Sequence, residues 1–272
     1  MKKMIDTGTD ELLCEISKKV CILTLNRPDK KNALSPRLTP ALRKILLEMN
    51  ENQNVNCIII TGAGGAFCAG GDIGGMNENS KKDQLDIDYL TNDLIQKQEE
   101  LTLRIHNLGI PTIAVISGPA AGAGMCLALA CDFRFMESSA FMTTAYRNIA
   151  LSGDYGGAWL LPRLIGLSKA KELFFTGRRV GAEESCKLGL VDQVYEKEML
   201  MDEADKFAKL LASGPKLAIG RMKRNINESQ GLSLKDSMKL EAIHLIQCMN
   251  EKDHKEAVKA FLEKRSPVFS GE

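Results

Sequence analysis

Two glycine-rich turns constrain this chain more than any other feature of its sequence. They are Ala66-Phe67-Cys68-Ala69-Gly70-Gly71-Asp72 and Gly118-Pro119-Ala120-Ala121-Gly122-Ala123-Gly124, and each follows a β-like apolar run. The second leads on into an apolar segment that reads as a helix. Small residues strip side chains from the backbone, so N–H groups can approach a ligand closely. A third stretch, Ser152-Gly153-Asp154-Tyr155-Gly156-Gly157, supplies an acid. Two such turns can aim two N–H donors at one oxygen, with a carboxylate nearby. The plainer reading is that the glycines only allow the tight strand-to-helix connections that α/β proteins need.

The flanking periodicities fit an α/β chain. Residues 11–16 and 20–26 are β-like and read as a hairpin. Ser35-Pro36 or Thr39-Pro40 can cap a helix whose Leu38, Leu42, Ile45, Leu46 and Met49 share one face. The apolar runs 57–61 and 112–117 read as strands buried on both faces. Residues 76–93 are polar, with no period until Leu90, and suit a loop over a site; a helix then reaches about His106. Residues 125–130 read as a small-residue helix, 131–135 as a strand, and 156–189 as three short helices. An edge strand at 191–195 follows. Beyond Glu198 the pattern becomes three or four amphipathic helices, with Leu232, Met238, Leu245 and Met249 on apolar faces. The expected division is an α/β core at 1–197 and a helical region at 198–272.

Composition removes several function classes. The 272 residues carry 36 basic and 35 acidic side chains, a net charge of +1. That balance gives no reason to expect nucleic acid or an anionic membrane as partner. Eight cysteines include no Cys-x-x-Cys and there are only three histidines, so neither a disulfide framework nor a metal site is expected. Most of the cysteines lie in apolar runs, as reduced buried thiols do. No h-region of a signal peptide and no stretch near the roughly 18 apolar residues of a membrane span occurs, so the expectation is a soluble, cytoplasmic protein. There is no Walker loop and no Gly-x-Ser-x-Gly elbow. Gly62-Ala63-Gly64 begins like a dinucleotide fingerprint, but Phe67 stands where the third glycine belongs.

The ordered motifs carry a resemblance. Gly65 to Ile73 resembles the first signature of the crotonase (enoyl-CoA hydratase/isomerase) superfamily, and Gly118 to Asp132 the second. Leu188-Gly189-Leu190-Val191-Asp192 with Tyr195, the loop from Arg27-Pro28 to Leu34, and Phe261 to Arg265 match further landmarks, so the resemblance spans nearly the whole chain. It implies an α/β spiral of ββα units with a C-terminal α-helical trimerisation region, hence a homotrimer or a dimer of trimers. It also implies an acyl-CoA thioester substrate, with coenzyme A arriving as part of that substrate and no separate cofactor. Carried over position by position, the backbone N–H groups of Gly71 and Ala123 form an oxyanion hole for the thioester carbonyl. Ala66, Ala69, Asp72, Ile73 and Gly122 line the path of CoA, and Arg27 and Lys30 lie near its phosphates. From the residues alone, the polar 26–34 loop reads first as a solvated loop and second as an anchor for a phosphorylated ligand.

The departures bear on the reaction. Hydratases of this superfamily carry two glutamates, and at the matching positions this chain has Cys126 and Tyr146. Neither replaces a carboxylate, which counts against hydration. Asp154 remains, and an acid there resembles the PaaG-like ring-epoxide isomerase branch and some Δ3,Δ2-isomerase or dehalogenase relatives. One carboxylate can take a proton from one carbon and return it to another, which is what double-bond migration needs. A dehalogenase would use it as a nucleophile, and a purely structural Asp154 would cap the following helix and have a lowered pKa. Thr143, Thr144, Arg147 and Asn148 are candidates for the same pocket, and His106 reads as structural. The first expectation is therefore an acyl-CoA isomerase. An enoyl-CoA hydratase with Asp154 acting on water and a non-catalytic acyl-CoA binder are the alternatives.

Overall fold

The computed structural model describes residues 2–72 and 86–271. Seven strands form the main sheet in the order β1-β2-β3-β4-β5-β7-β10. These are β1 (Lys3–Ile5), β2 (Leu12–Ser17), β3 (Val20–Leu25), β4 (Cys57–Gly62), β5 (Thr112–Ile116), β7 (Phe133–Glu137) and β10 (Gln193–Tyr195). The first three pair antiparallel, and every pairing from β3 onward is parallel. A small second sheet joins β6 (Ala120–Ala121), β8 (Phe141–Thr143) and β9 (Val180–Gly181).

The central strands are continuous apolar runs because both faces are covered. Along β4, Ile58 and Ile60 enter one core and Cys57 and Ile59 the other; on β5, Ala114 and Ile116 oppose Ile113 and Val115 in the same way. The first core is covered by α1 (Leu38–Glu51), whose Leu38, Leu42, Ile45, Leu46 and Met49 are all buried. The Ser35 hydroxyl heads this helix, accepting from the N–H groups of Arg37 (3.2 Å) and Leu38 (2.9 Å). Pro40 falls within the first turn, where its missing N–H costs nothing. Asp86 caps α2 (Ile87–Gln98) by accepting from Tyr89 N–H at 2.9 Å, so the helix begins ahead of the expected Leu90. A π-helical turn, Glu99–Leu103, joins it to α3 (Arg104–Asn107). Residues 76–85 of the expected site loop lie outside the described residues, as does Ile73.

Four further helices complete the region around the turns: α4 (Ala123–Ala130), α5 (Gly157–Ile165), α6 (Leu167–Thr176) and α7 (Ala182–Lys187). The second core is closed by α8 (Lys197–Ala212), which presents Leu200, Ala204, Ala208 and Ala212 at four-residue spacing. The expected division at 197/198 thus falls at the start of a helix whose inner face completes the sheet's packing. Lys223 on α9 (Lys216–Ser229) reaches the core, donating to Asp132 at 2.9 Å. The last helices, α10 (Leu234–Met249) and α11 (Lys252–Leu262), carry much of the exposed apolar surface. Leu232, Met238, Leu245 and Met249, expected on apolar faces, are exposed on this chain.

Candidate active site

The two glycine turns are bonded to each other. Phe67 and Cys68 donate their N–H groups to Pro119 O (3.1 and 3.2 Å), and Ala121 N–H donates back to Cys68 O at 2.9 Å. Their glycines are required because backbone packs on backbone. A Cβ on Gly118 would stand 2.0 Å from Gly65 O, and one on Gly124 would stand 2.2 Å from Cys68 O. A Cβ on Gly70 would lie 2.8 Å from Ala121 O and 3.4 Å from the nitrogen of Ala123, which places the two turns' donors side by side. Gly122 has φ 53° and ψ −126°, a conformation closed to other L-residues, and it turns the chain into α4.

Ala123 is the first residue of that helix, so its N–H has no intrahelical partner and sits at the positive end of the helix dipole. Among the described residues, neither Gly71 N–H nor Ala123 N–H donates a hydrogen bond. Leu34 N–H donates to Gly70 O (2.8 Å), which pairs the 27–34 loop with the first turn. Two uncommitted donors on a rigid backbone frame can serve an oxygen that gains negative charge.

The loop at 27–34 clamps the first turn from outside. Asn32, fully buried and left-handed at φ 57°, donates from its amide to Ala63 O (2.9 Å) and Ala66 O (2.8 Å) and accepts from Arg27 N–H (2.8 Å). Its sequence reading missed this hub; an asparagine in a tight polar loop was the available signal. Arg27 donates to Ala33 O at 2.6 Å, pairs with Asp72 at 3.2 Å and lies 3.4 Å from Glu11. Its guanidinium therefore holds the loop to the first turn. Lys30 is exposed, while Ala66 is buried and Ala69 half-buried beside the turn.

Asp154 stands at the end of a side-chain chain that starts on α4. Cys126 lies one turn after Ala123, with its Sγ 3.4 Å from the Tyr146 hydroxyl and 3.5 Å from the Asp154 carbonyl oxygen. The Tyr146 hydroxyl donates to Asp154 Oδ1 at 2.7 Å. Tyr146 opens a 3-10 turn (Tyr146–Ile149), and its ring stacks on Phe174 at 6.1 Å and 8°. A Cβ on Gly122 would meet that ring at 3.8 Å, so the acid cluster borders the second turn. Gln98, at the end of α2, accepts from Tyr155 N–H at 2.6 Å and fixes the backbone beside the acid.

The electrostatics separate the three groups. Burial pushes the Cys126 thiol up to about 12 and the Tyr146 hydroxyl well above its ordinary range. Both stay protonated at neutral pH. Burial also raises the Asp154 carboxyl, and the Tyr146 hydrogen bond opposes that rise. Asp154 is not a side-chain cap for α5, whose preceding residue is Gly156 at φ 76°. The structure thus removes the capping reading, and with it the lowered pKa that a cap would bring.

The other candidates are spent elsewhere. Thr143 and Thr144 donate to the carbonyls of Gly177 (3.0 Å) and Leu173 (2.9 Å) at the end of α6. Arg147 and Asn148 are exposed. His106 packs edge-on against Trp159 at 5.3 Å.

With this geometry in place, the likeness to known proteins is specific. The enoyl-CoA hydratase/isomerase family model matches residues 15–272. The 1,2-epoxyphenylacetyl-CoA isomerase of Escherichia coli K12 is 34% identical over 260 residues, covering 96% of this chain and 98% of its own. The short-chain-enoyl-CoA hydratase of Clostridium acetobutylicum is 30% identical over 257 residues, 94% of this chain and 96% of its own. Among solved structures, an enoyl-CoA hydratase from Bacillus anthracis superposes with a TM-score of 0.89 at 33% identity, over 97% of this chain and 100% of that one. The interlocked turns, the sheet topology and these full-length matches agree: the chain belongs to the enoyl-CoA hydratase/isomerase family, and its fold is the α/β fold of the crotonase superfamily.

Proposed function

We propose that the protein is an acyl-CoA isomerase that moves a double bond by proton transfer through Asp154. The thioester carbonyl oxygen accepts from Gly71 and Ala123 N–H. The Asp154 carboxylate takes a proton from the α-carbon; the C–H pair moves toward the carbonyl, and the dienolate's negative charge rests on the cradled oxygen. The carboxylic acid then returns the proton to the γ-carbon as the C=O reforms, leaving the double bond between Cα and Cβ. Atoms and electrons balance within the substrate, and no cofactor beyond its own CoA enters the steps. The observation that carries this reading is Asp154 itself. It is the carboxyl of the cluster, raised by burial, and it lies against Cys126 and Tyr146, which match the positions where the superfamily's hydratases use two glutamates.

A cavity of about 490 Å³ is lined by Ile95, Thr102, Leu103, Trp159 and Leu160, and bordered by Tyr155 and Gly156. Its apolar walls give room for an acyl chain beside the acid. The hydratase relative supports addition of water as the second reading. Proton–deuterium exchange followed by NMR over a panel of acyl-CoAs, wild type against Asp154→Asn, decides between them. Exchange and double-bond migration that vanish in the variant support isomerisation. Labelled oxygen from water appearing in a 3-hydroxyacyl product supports hydration, and thioester binding without exchange supports a non-catalytic binder. Full activity of Asp154→Asn on every substrate would sink the mechanism.

The exposed apolar faces of α10 and α11, with Leu234 77% and Phe261 82% exposed, support assembly as a homotrimer or a dimer of trimers. Among the described residues no helix is long and apolar enough to cross a membrane, and all eight cysteines are free thiols, six of them buried. These features suit the reducing cytoplasm.

A further inference from the structure

We infer that Tyr146 is the positioning residue of this reaction: its hydroxyl fixes one oxygen of Asp154 so that the other, Oδ2, carries the proton. The inference rests on Asp154 being the proton carrier. Asp154 follows Leu151, Ser152 and Gly153, which are all exposed, so its loop does little to hold a short side chain in one rotamer. The hydrogen bond from Tyr146 supplies that restraint, at 2.7 Å to Oδ1. Among the described residues, Oδ2 accepts no hydrogen bond.

Tyr146 is itself strongly constrained. It is buried, stacked on Phe174, and flanked in its turn by two left-handed alanines, Ala145 (φ 59°) and Ala150 (φ 55°). Its N–H donates to Thr144 O at 2.8 Å, and its carbonyl accepts from Leu151 N–H at 3.0 Å. Left-handed non-glycine residues persist where the surroundings hold them, and three of them, with Tyr155 (φ 49°), bracket this acid.

The directions of the hydrogen bonds follow from protonation. An ionised carboxylate only accepts, so the Tyr146 hydroxyl must donate to it. The hydroxyl oxygen is then free to accept from the Cys126 thiol, 3.4 Å behind it. The groups that face Asp154 are Tyr146 from the 3-10 turn, Cys126 from α4 and Tyr155 from its own loop. No cation pairs with Asp154 among the described residues. Cys126 and Tyr146, which stand at the hydratase glutamate positions, thus act here as a donor chain that orients the remaining acid.

The test compares Tyr146→Phe with wild type and Asp154→Asn, reading kcat, KM, the pH–rate profile and the Asp154 carboxyl titration by ¹³C NMR. Phenylalanine keeps the ring stack and removes only the donor. The expected result is a kcat lower by about ten- to a hundredfold with KM unchanged. The acid limb of the profile and the carboxyl titration should both move to higher pH, because a donor that favours the ionised form is gone. If the Phe variant folds poorly by near-UV circular dichroism, Cys126→Ala weakens the same donor from behind and should move both in the same direction by less. An inactive Asp154→Asn together with a Tyr146→Phe enzyme whose titration and acid limb stay in place overturns this inference and leaves the proton-carrier reading standing. An active Asp154→Asn removes both.

Discussion

Asp154 should influence stability as well as the proposed chemistry. Burial raises its folded-state pKa above the ordinary 3.8, so the native state holds the proton more tightly than the unfolded chain. Stability from this group is then fully present below pH 3.8 and is lost as pH rises through the raised folded value. Asp154→Asn keeps an acceptor for Tyr146 and removes that loss. We expect it to melt at a higher temperature than wild type at pH 7 and to show no such gain near pH 3, by calorimetry at both pH values. Gly124→Ala should behave very differently, because its Cβ would stand 2.2 Å from a carbonyl oxygen that cannot move without its whole turn. A loss of about 1–3 kcal/mol in urea unfolding is expected, with loss of activity. Gly181→Ala, at φ −72° with nothing within 4 Å of its Cβ, should be near neutral. The need for small residues was legible in the sequence, and so was the loneliness of Asp154. The donor role of Tyr146 was not, since a residue eight positions away is a partner only if two left-handed alanines bend the chain back.

Elements with a sustained period were read from the sequence almost to their ends. The α1 face and the two-sided burial of β4 and β5 follow from spacing and from unbroken apolar runs. The strands of the second sheet were missed because two or three residues are too few to express a period. The π-helical turn at 99–103 was equally silent, although Gln98, which reaches the acid loop, stands directly before it. The role of α8 is less obvious than its amphipathicity, for its inner face is mostly alanine and lets the helix lie close on the sheet. Ala208→Leu should therefore overpack it, costing about 1–3 kcal/mol in denaturant unfolding. Leu210→Glu on the same helix, where the leucine is 66% exposed, should cost little.

The assembled chain leaves large apolar side chains in water on its last two helices. If copies of the chain cover them, Leu245→Glu, at a leucine 63% exposed, should lower the mass measured by analytical ultracentrifugation while circular dichroism stays native. A mass unchanged from wild type would place the contact elsewhere.

The interlocking of the two turns has a consequence for how such an enzyme can change over evolutionary time. Backbone fitted against backbone admits no gradual adjustment, so the half of the candidate site built from the two turns can only be kept or lost. The half built from Cys126, Tyr146 and Asp154 is made of side chains, each replaceable by a single codon change. If the turns hold the thioester oxygen as proposed, new reactions on this scaffold are accessible through acid placement alone, with the turns inherited intact. A saturation library selected for thioester turnover should show this as two classes of position, with almost no tolerated change at the turn glycines and a graded spectrum around the acid.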